Sequence, residues 1–332
     1  MSDKTKLKIQ AGKRYFISWI RTFKGSITVV CLLLLIVIPF FTSSPYILGI
    51  FVTAMIFTIF AASWDFLAGF VGQVSFGHSI FLGVSAYFTA IFIRIFGFPW
   101  WLSMIIGFSA SVGFSLFIGI ICLRLKGPYL ALGTLVFSII IYDVLMMGSL
   151  SNIFFGTEGI SGLPAISPDP SIIYLFVLVI TVISLEILIF TGKSNFGTIL
   201  KSIRDDETGA IACGINISKY KVYAFMISSL FAGVAGGLFA LNLRAVNPAV
   251  FGSIYSFYAI IMASLGGLAT ISGSALGAFF FIFLGEILRP TGDFSILIFA
   301  VILIIIVRFA EHGILKPVLE RLKDLFDLLV GR

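Results

Sequence analysis

Ten stretches of almost unbroken apolar sequence constrain this chain more than any other feature. They lie at about 27–41, 46–64, 76–93, 99–122, 128–150, 171–191, 222–243, 253–271, 274–288 and 294–309. Lipid offers the backbone no water to bond, so each run must satisfy its own N–H and C=O groups as a helix. The runs are continuous rather than alternating, which excludes a membrane barrel. Only 11% of the 332 residues are Asp, Glu, Lys or Arg, against about 25% in a soluble domain. So few charges cannot cover a soluble surface of this size. A cytosolic enzyme, a nucleic-acid-binding module and a disordered chain are thereby excluded. The expected fold is an all-α polytopic membrane protein with about ten transmembrane helices. The runs at 27–41, 274–288 and 294–309 are short and read as tilted, re-entrant or buried segments.

The net charge of +7 follows the loops. With the N-terminus inside, the inner segments are 1–26, 65–75, 123–127, 192–221, 272–273 and 308–332, and they hold 19 of the 22 Lys and Arg residues. The outer segments hold only Arg94, Arg244 and Arg289, and the outer loop 151–170 carries Glu158 and Asp169. This asymmetry predicts both termini on the cytoplasmic side. The basic balance is thus a topological signal, with no nucleic-acid partner implied. The run after the basic segment 1–26 has no A-x-A site, so it reads as a retained helix rather than a cleaved leader. The membrane-spanning body then covers 27–309, with the loop 192–221 on its cytoplasmic side. The tail 310–332 repeats apolar residues at helical spacing and reads as an amphipathic cytoplasmic helix, lying on lipid or binding a partner. The three cysteines form no CxxC, so neither a disulfide framework nor a zinc site is expected.

The longest polar insertion, 192–221, is expected to be cytoplasmic. Asp205 and Asp206 can cap a short helix with Glu207 in its first turn. Gly214 can end that helix in the left-handed conformation, and Ser218 can cap entry to the next span. A connector of this length is long for a helix bundle, which favours a docking role over a plain solvated link.

The chain lacks the residues of an engine. Gly192-Lys193-Ser194 ends like a phosphate-binding loop, but Ile187 stands where its first glycine must be. ATP energy would have to come from another chain. There is no HExxH, and His78 and His312 are the only histidines. Ser85 near His78 is better read as a packing residue than as a nucleophile, so no enzyme and no cofactor are expected. Asp143, Glu186 and Glu286 fall within apolar runs, where an acid costs about 3 kcal/mol at the bilayer centre, so they are functional candidates. Residues 69–79, with Gly83 and Ser85, concentrate small and polar side chains where a span is normally apolar. Gln73, Ser75, His78 and Ser79 can offer hydrogen bonds to a polar solute, and broken helices build such sites. Close helix packing is the plainer alternative. A second Gly/Ser cluster runs from Ser264 to Gly277, and Gly233 with Gly237 forms a close-packing pair.

Five blocks in order carry a resemblance. They are 72–78 with Gly83 and Ala86-Tyr87; 123–132 with Thr134-Leu135; 157–163; Gly197 through Arg204, Glu207, Gly214-Ile215-Asn216, Tyr220-Lys221 and Ala224-Phe225 to 231–236; and 266–268 through Gly273 to Gly277-Ala278. From about Asp65 to Ile287 the chain resembles the M-type permease subunit of bacterial branched-chain amino-acid ABC importers. The resemblance implies two ATP-binding cassette subunits, a second related permease subunit and a periplasmic or lipid-anchored substrate-binding protein, in the lipid of a bacterial inner membrane. It places Gln73, Ser75, His78, Ser79, Tyr129, Thr134 and Gly266 along the solute pathway. It places Arg204, Asp205, Asp206, Glu207 and Gly214 in the ATPase-coupling segment. Thr208 and Gly209 depart there from the family's Glu-Ala-Ala pattern. Glu158 stands where a glycine is commoner. Branched-chain amino acids or a similar small polar solute are the implied cargo. The alternative is a passive channel or ion-coupled carrier for solutes such as urea or amides.

Overall fold

A computed structural model describes residues 23–122, 127–147 and 154–292, with a few positions between 294 and 304. The basic segment up to residue 22, most of the run at 294–309 and the tail 310–332 lie outside the described residues. The elements are α1 (Phe23–Phe41), α2 (Pro45–Val71), α3 (Ser79–Arg94), α4 (Trp100–Cys122), α5 (Pro128–Met146), β1 (Ile160–Ser161), α6 (Pro170–Lys193), α7 (Asn195–Asp205), α8 (Glu207–Ala212), α9 (Ile217–Leu243), β2 (Ala245–Val246), α10 (Ser253–Gly266) and α11 (Ile271–Leu288). The molecule is an all-α polytopic membrane protein. Among the described residues six helices are long and apolar enough to cross a membrane, namely α2, α4, α5, α6, α9 and α11 with its following turn. The apolar part of α1 (Cys31–Phe41), α3 and α10 are shorter.

The sequence reading misplaced the short elements. The run at 274–288 belongs to a helix long enough to span. The runs at 76–93 and 253–271 yield only α3 and α10. Backbone breaks explain this. Helix α2 continues through the segment expected as a loop, to Val71. There Gly72 adopts φ 73°, a left-handed cap that glycine takes without a Cβ penalty. Its N–H bonds Ala68 O at 3.1 Å, and Gln73 N bonds Leu67 O at 3.3 Å. Residues 73–77 are not helical, so α3 starts late, at Ser79.

Helices α2 and α9 form the centre, with 72% and 78% of their apolar windows buried, against 28% for α4 and α5. The latter turn Phe117, Ile120, Leu132 and Val136 outward, the surface lipid would solvate. Small residues let the central backbones touch. A Cβ at Gly233 would lie 2.9 Å from Ser111 Cβ on α4, and one at Gly236 would meet the Leu82 carbonyl of α3. Ser111 Oγ lies 3.0 Å from the carbonyls of both Phe81 and Ser229, tying α3, α4 and α9 together.

One face of the bundle carries α7 and α8, beside the end of α2. The opposite, distal face gathers Pro45, Pro170, Arg244 and Arg289 around one cavity. There a two-residue antiparallel ladder, Ile160↔Val246 and Ser161↔Ala245, fastens the loop before α6 to the strand after α9.

Candidate functional site

Two broken elements enter the bundle from opposite faces. From the α7–α8 face, residues 72–78 turn back inward. His78 Nε2 lies 2.9 Å from Ser63 Oγ, and Ser63 is about 12 Å along α2 from its end at 1.5 Å per residue. From the distal face, residues 245–252 dip through a short turn at Pro248–Phe251. The Phe251 carbonyl accepts from Ser79 Oγ at 3.0 Å and from Ser138 Oγ at 3.2 Å. Ser79 N donates to Ser256 Oγ at 2.8 Å, and Ser256 Oγ donates to Ser79 Oγ at 3.0 Å. The first turns of α3 and α10 therefore meet in the interior. Irregular backbone at this depth is tolerated because protein groups satisfy it.

Each proposed pathway residue has a definite place. Gln73, Ser75, His78, Ser79 and Thr134 are all buried. Phe76 N donates to Thr134 Oγ1 at 3.1 Å, and a Cβ on Gly77 would collide with the Thr134 carbonyl, so α5 holds the inward segment closely. The Ser75 carbonyl accepts from Trp64 Nε1 at 2.8 Å. Ser63 Oγ donates its single proton to Phe60 O at 2.7 Å, so the His78 contact requires an Nε2–H donor. His78 Nδ1 and Ser75 Oγ then have no hydrogen-bond partner among the described residues. Tyr129 stands apart at the start of α5, 70% exposed. Gly266 is a packing position, where a Cβ would strike the Gly273 carbonyl. Of the intramembrane acids, Asp143 and Glu186 are exposed on α5 and α6. Glu286 bonds Tyr46 OH and, at 3.1 Å, Arg289 Nη1.

The α7–α8 segment is tied to the end of α2, just before the first of these breaks. Ser194 caps α7, accepting from Gly197 N at 3.4 Å, and Leu200 and Ile203 bury its apolar face. This helix was not foreseen, although Ser194 before a helical spacing of apolar residues is a start signal. Arg204 extends from its last turn and donates to Gly69 O on α2 at 2.6 Å and to Asp205 Oδ1 at 2.8 and 2.9 Å. It thereby fills a carbonyl that the end of α2 leaves unpaired, where the helix dipole favours a cation. One turn earlier, fully buried Asp65 accepts from Ala269 N at 2.7 Å. That bond anchors the α10–α11 break, where Ala269 itself has φ 61°. Sequence reasoning missed Asp65, because it took 65–75 for a loop.

Asp206 caps α8, accepting from Thr208 N at 2.9 Å and Thr208 Oγ1 at 2.6 Å. Those hydrogen bonds, led by the Thr208 hydroxyl, hold its pKa below the usual carboxylate range. A lowered pKa means that the cap contributes in full above the unfolded value. The contribution is lost as pH falls through the folded one. Acidification through that pKa is therefore expected to lower the protection of the Thr208 amide relative to its intrinsic exchange rate at the same pH, and Asp206→Ala to lower it at neutral pH but not below that pKa. Asp205 pairs with Arg204 instead of capping. Glu207 opens α8 and forms an ion pair with the nearly buried Lys221 on α9. Gly214 follows α8 at φ 80°, as expected. The cap of α9 is Asn216, which accepts from Lys219 N at 3.1 Å, and Ser218 already lies inside the helix.

Removing the Asp65 acceptor leaves the half-buried Ala269 N–H unpaired, at a cost of up to about 1–3 kcal/mol, the value for a fully buried donor. Asp65→Leu should accordingly lower the thermal midpoint of the purified chain in detergent well below that of Asp65→Asn, which keeps an acceptor. Equal midpoints would show that the Ala269 bond contributes nothing.

The permease-subunit protein of Escherichia coli described as high-affinity branched-chain amino acid transport system permease protein LivM is 27% identical over 350 residues, covering 96% of this chain and 81% of its own length. The Salmonella typhimurium LivM protein is 25% identical, covering 91% of this chain and 77% of its own length. An autoinducer 2 import system permease protein, LsrC of Yersinia enterocolitica, is 28% identical over 55% of this chain and 52% of its own. No solved structure matches. A family profile described as branched-chain amino acid transport system / permease component matches residues 46–307, which takes in both breaks and the α7–α8 segment, and the chain belongs to that family.

Proposed function

We propose that this chain is the membrane-spanning permease subunit of an ATP-driven importer of branched-chain amino acids or a similar small polar solute, with ATP hydrolysed by partner subunits. The observation that carries this reading is the bridge from α7 to the interior. Arg204 holds the end of α2, and Asp65 on the same helix holds the start of α11. A force applied to α7–α8 therefore reaches the end of α2 and the α10–α11 turn through two hydrogen bonds. In this reading the α7–α8 face is cytoplasmic, in a bacterial inner membrane, and the segment from Arg204 to Gly214 seats in an ATPase subunit. Gln73, Ser75, His78, Ser79 and Thr134 line the step where a polar solute exchanges water for protein partners. Tyr129 reaches the pathway where this chain abuts a second permease subunit, and Gly266 sets the closeness of α10 and α11. A binding protein delivers the solute to the distal face.

Reconstitution tests the reading. Liposomes holding this chain, a second permease and two ATPase subunits should accumulate leucine only with ATP inside the cytoplasmic-equivalent compartment and with binding protein outside. Uptake at the same rate by this chain alone would establish a passive channel or ion-coupled carrier instead. Sidedness has a built-in reporter, because Cys213 is exposed beside α8. A membrane-impermeant maleimide should label Cys213 in inverted membrane vesicles and spare it in intact spheroplasts. The opposite pattern would invert the topology.

A further inference from the structure

On the distal face, the ends of α2, α6, α9 and α11 enclose a cavity of about 430 Å³, lined in part by Tyr46, Asn242, Arg244, Glu286 and Arg289. Its size falls within the range of small-ligand sites, and three features mark it as more than a gap between helices. Basic residues are scarce outside the inner segments, where only Arg94, Arg244 and Arg289 occur, yet two of those three line this one cavity. Arg289 is already compensated by Glu286, which also accepts from Tyr46 OH. The Arg244 guanidinium has no hydrogen bond or ion pair among the described residues, so the cavity keeps one uncompensated positive charge. Arg244 also caps α9 in the left-handed region, at φ 54°, a position that glycine occupies without strain. An arginine kept where glycine fits better points to a use for its side chain.

We propose that this cavity binds a small zwitterionic solute, with the Arg244 guanidinium taking the carboxylate and the Glu286 carboxylate facing the protonated amine. Guanidinium matches a carboxylate in shape and charge. Glu286 has one oxygen, Oε1, engaged by Tyr46 and Arg289, which leaves Oε2 to a cationic group. The apolar flank from Leu48, Val52 and Ile282 accommodates an aliphatic side chain. The choice of an amino acid as occupant rests on the importer reading. The site's existence rests on the cavity and its charges. It lies at the face opposite α7–α8, so it is a loading station ahead of the interior breaks.

The test uses the full chain in nanodiscs of phosphatidylcholine, with radiolabelled leucine as probe. Leucine should bind, 4-methylpentanoate should compete weakly, and leucinamide, which lacks the carboxylate, should not compete. Arg244→Gln should weaken binding at least tenfold, while Arg244→Lys retains part of it and reports that the fold survives. Absence of leucine binding, equal competition by leucinamide, or unchanged binding by Arg244→Gln would each overturn the proposal. Displacement of leucine when the nanodisc lipid is changed to phosphatidylglycerol would assign the cavity to a lipid headgroup and overturn it equally. ATP-driven uptake by the assembled transporter is measured separately. Its persistence in Arg244→Gln with unchanged leucine binding would reject this cavity and leave the importer reading standing. Its absence in the native assembly would reject the importer reading itself.

Discussion

An assembled transporter carrying Arg204→Glu should lose solute-stimulated ATP hydrolysis by about tenfold or more, a change of at least ~1.4 kcal/mol in coupling, while the chain still inserts and folds. Among the described residues, Arg204 is the only side chain of α7 that donates a hydrogen bond into α2, through Gly69 O at 2.6 Å. Glutamate there removes the donor and sets a negative charge against the carbonyl end of a helix, which the dipole disfavours. It also repels Asp205, now without its partner. The apolar contacts of Leu200 and Ile203 and the Lys201 ammonium over the Phe70 ring remain, so α7 stays on the bundle but loses its hydrogen bond to α2. Glu207→Arg should act in the same direction by setting two cations together at the Lys221 contact, and deletion of 205–214 should abolish coupling outright. The measurement is ATPase activity in proteoliposomes with and without binding protein and solute, beside size-exclusion profiles of each variant. Native coupling in all three would remove α7–α8 from the mechanism.

The largest loss of stability is expected from Gly266→Val. Helices α10 and α11 pack backbone to backbone at three glycines. A Cβ at Gly266 would overlap the Gly273 carbonyl, one at Gly273 would overlap Thr270 Oγ1, and one at Gly277 would overlap the Met262 carbonyl. Overpacking against side chains costs about 1–3 kcal/mol, because the neighbours can rotate away. A backbone carbonyl cannot rotate away, so the whole hairpin must part, and the Ala269 bond to Asp65 lies within it. The variant should fail to accumulate, or should unfold in detergent at a far lower temperature than the native chain. Gly285→Val is the matched control, since nothing lies within 4 Å of a Cβ there. Similar thermal midpoints for the two would refute the close approach.

Much of this was written in the sequence, though unevenly. The apolar runs announced helices because lipid leaves no alternative for their backbone. Asp206, Glu207 and Gly214 announced a capped turn of helix, because a cap depends on neighbours in the chain. Apolarity was a poor guide to where backbone stays regular. Phe76 sits on a non-helical segment, and Leu268 and Ala269 on a turn, yet the apolar runs at 76–93 and 253–271 count all three as helix. What holds those breaks is the fit of Gly77 against Thr134 and the bond from Ala269 N to Asp65. Such partners are far away in the chain and leave no local mark. Asp65 was hidden for the same reason. An acid at the edge of an apolar run looks like a loop residue, and only its distant partner Ala269 makes it a tie.

The shortness of α3 and α10 also bears on how the chain is made. At 1.5 Å per residue, the 16 residues of α3 rise about 24 Å and the 14 residues of α10 about 21 Å. The hydrocarbon layer is about 30 Å thick. Neither helix matches that thickness by itself, so each is expected to depend on its neighbours for part of its stability. The Ser79 amide finds its acceptor in Ser256, 177 residues later in the chain. The packing of the first turn of α3 is therefore expected to be complete only once α10 has been made. Nascent chains halted before α10 should be handed to proteases rather than accumulate as stable fragments.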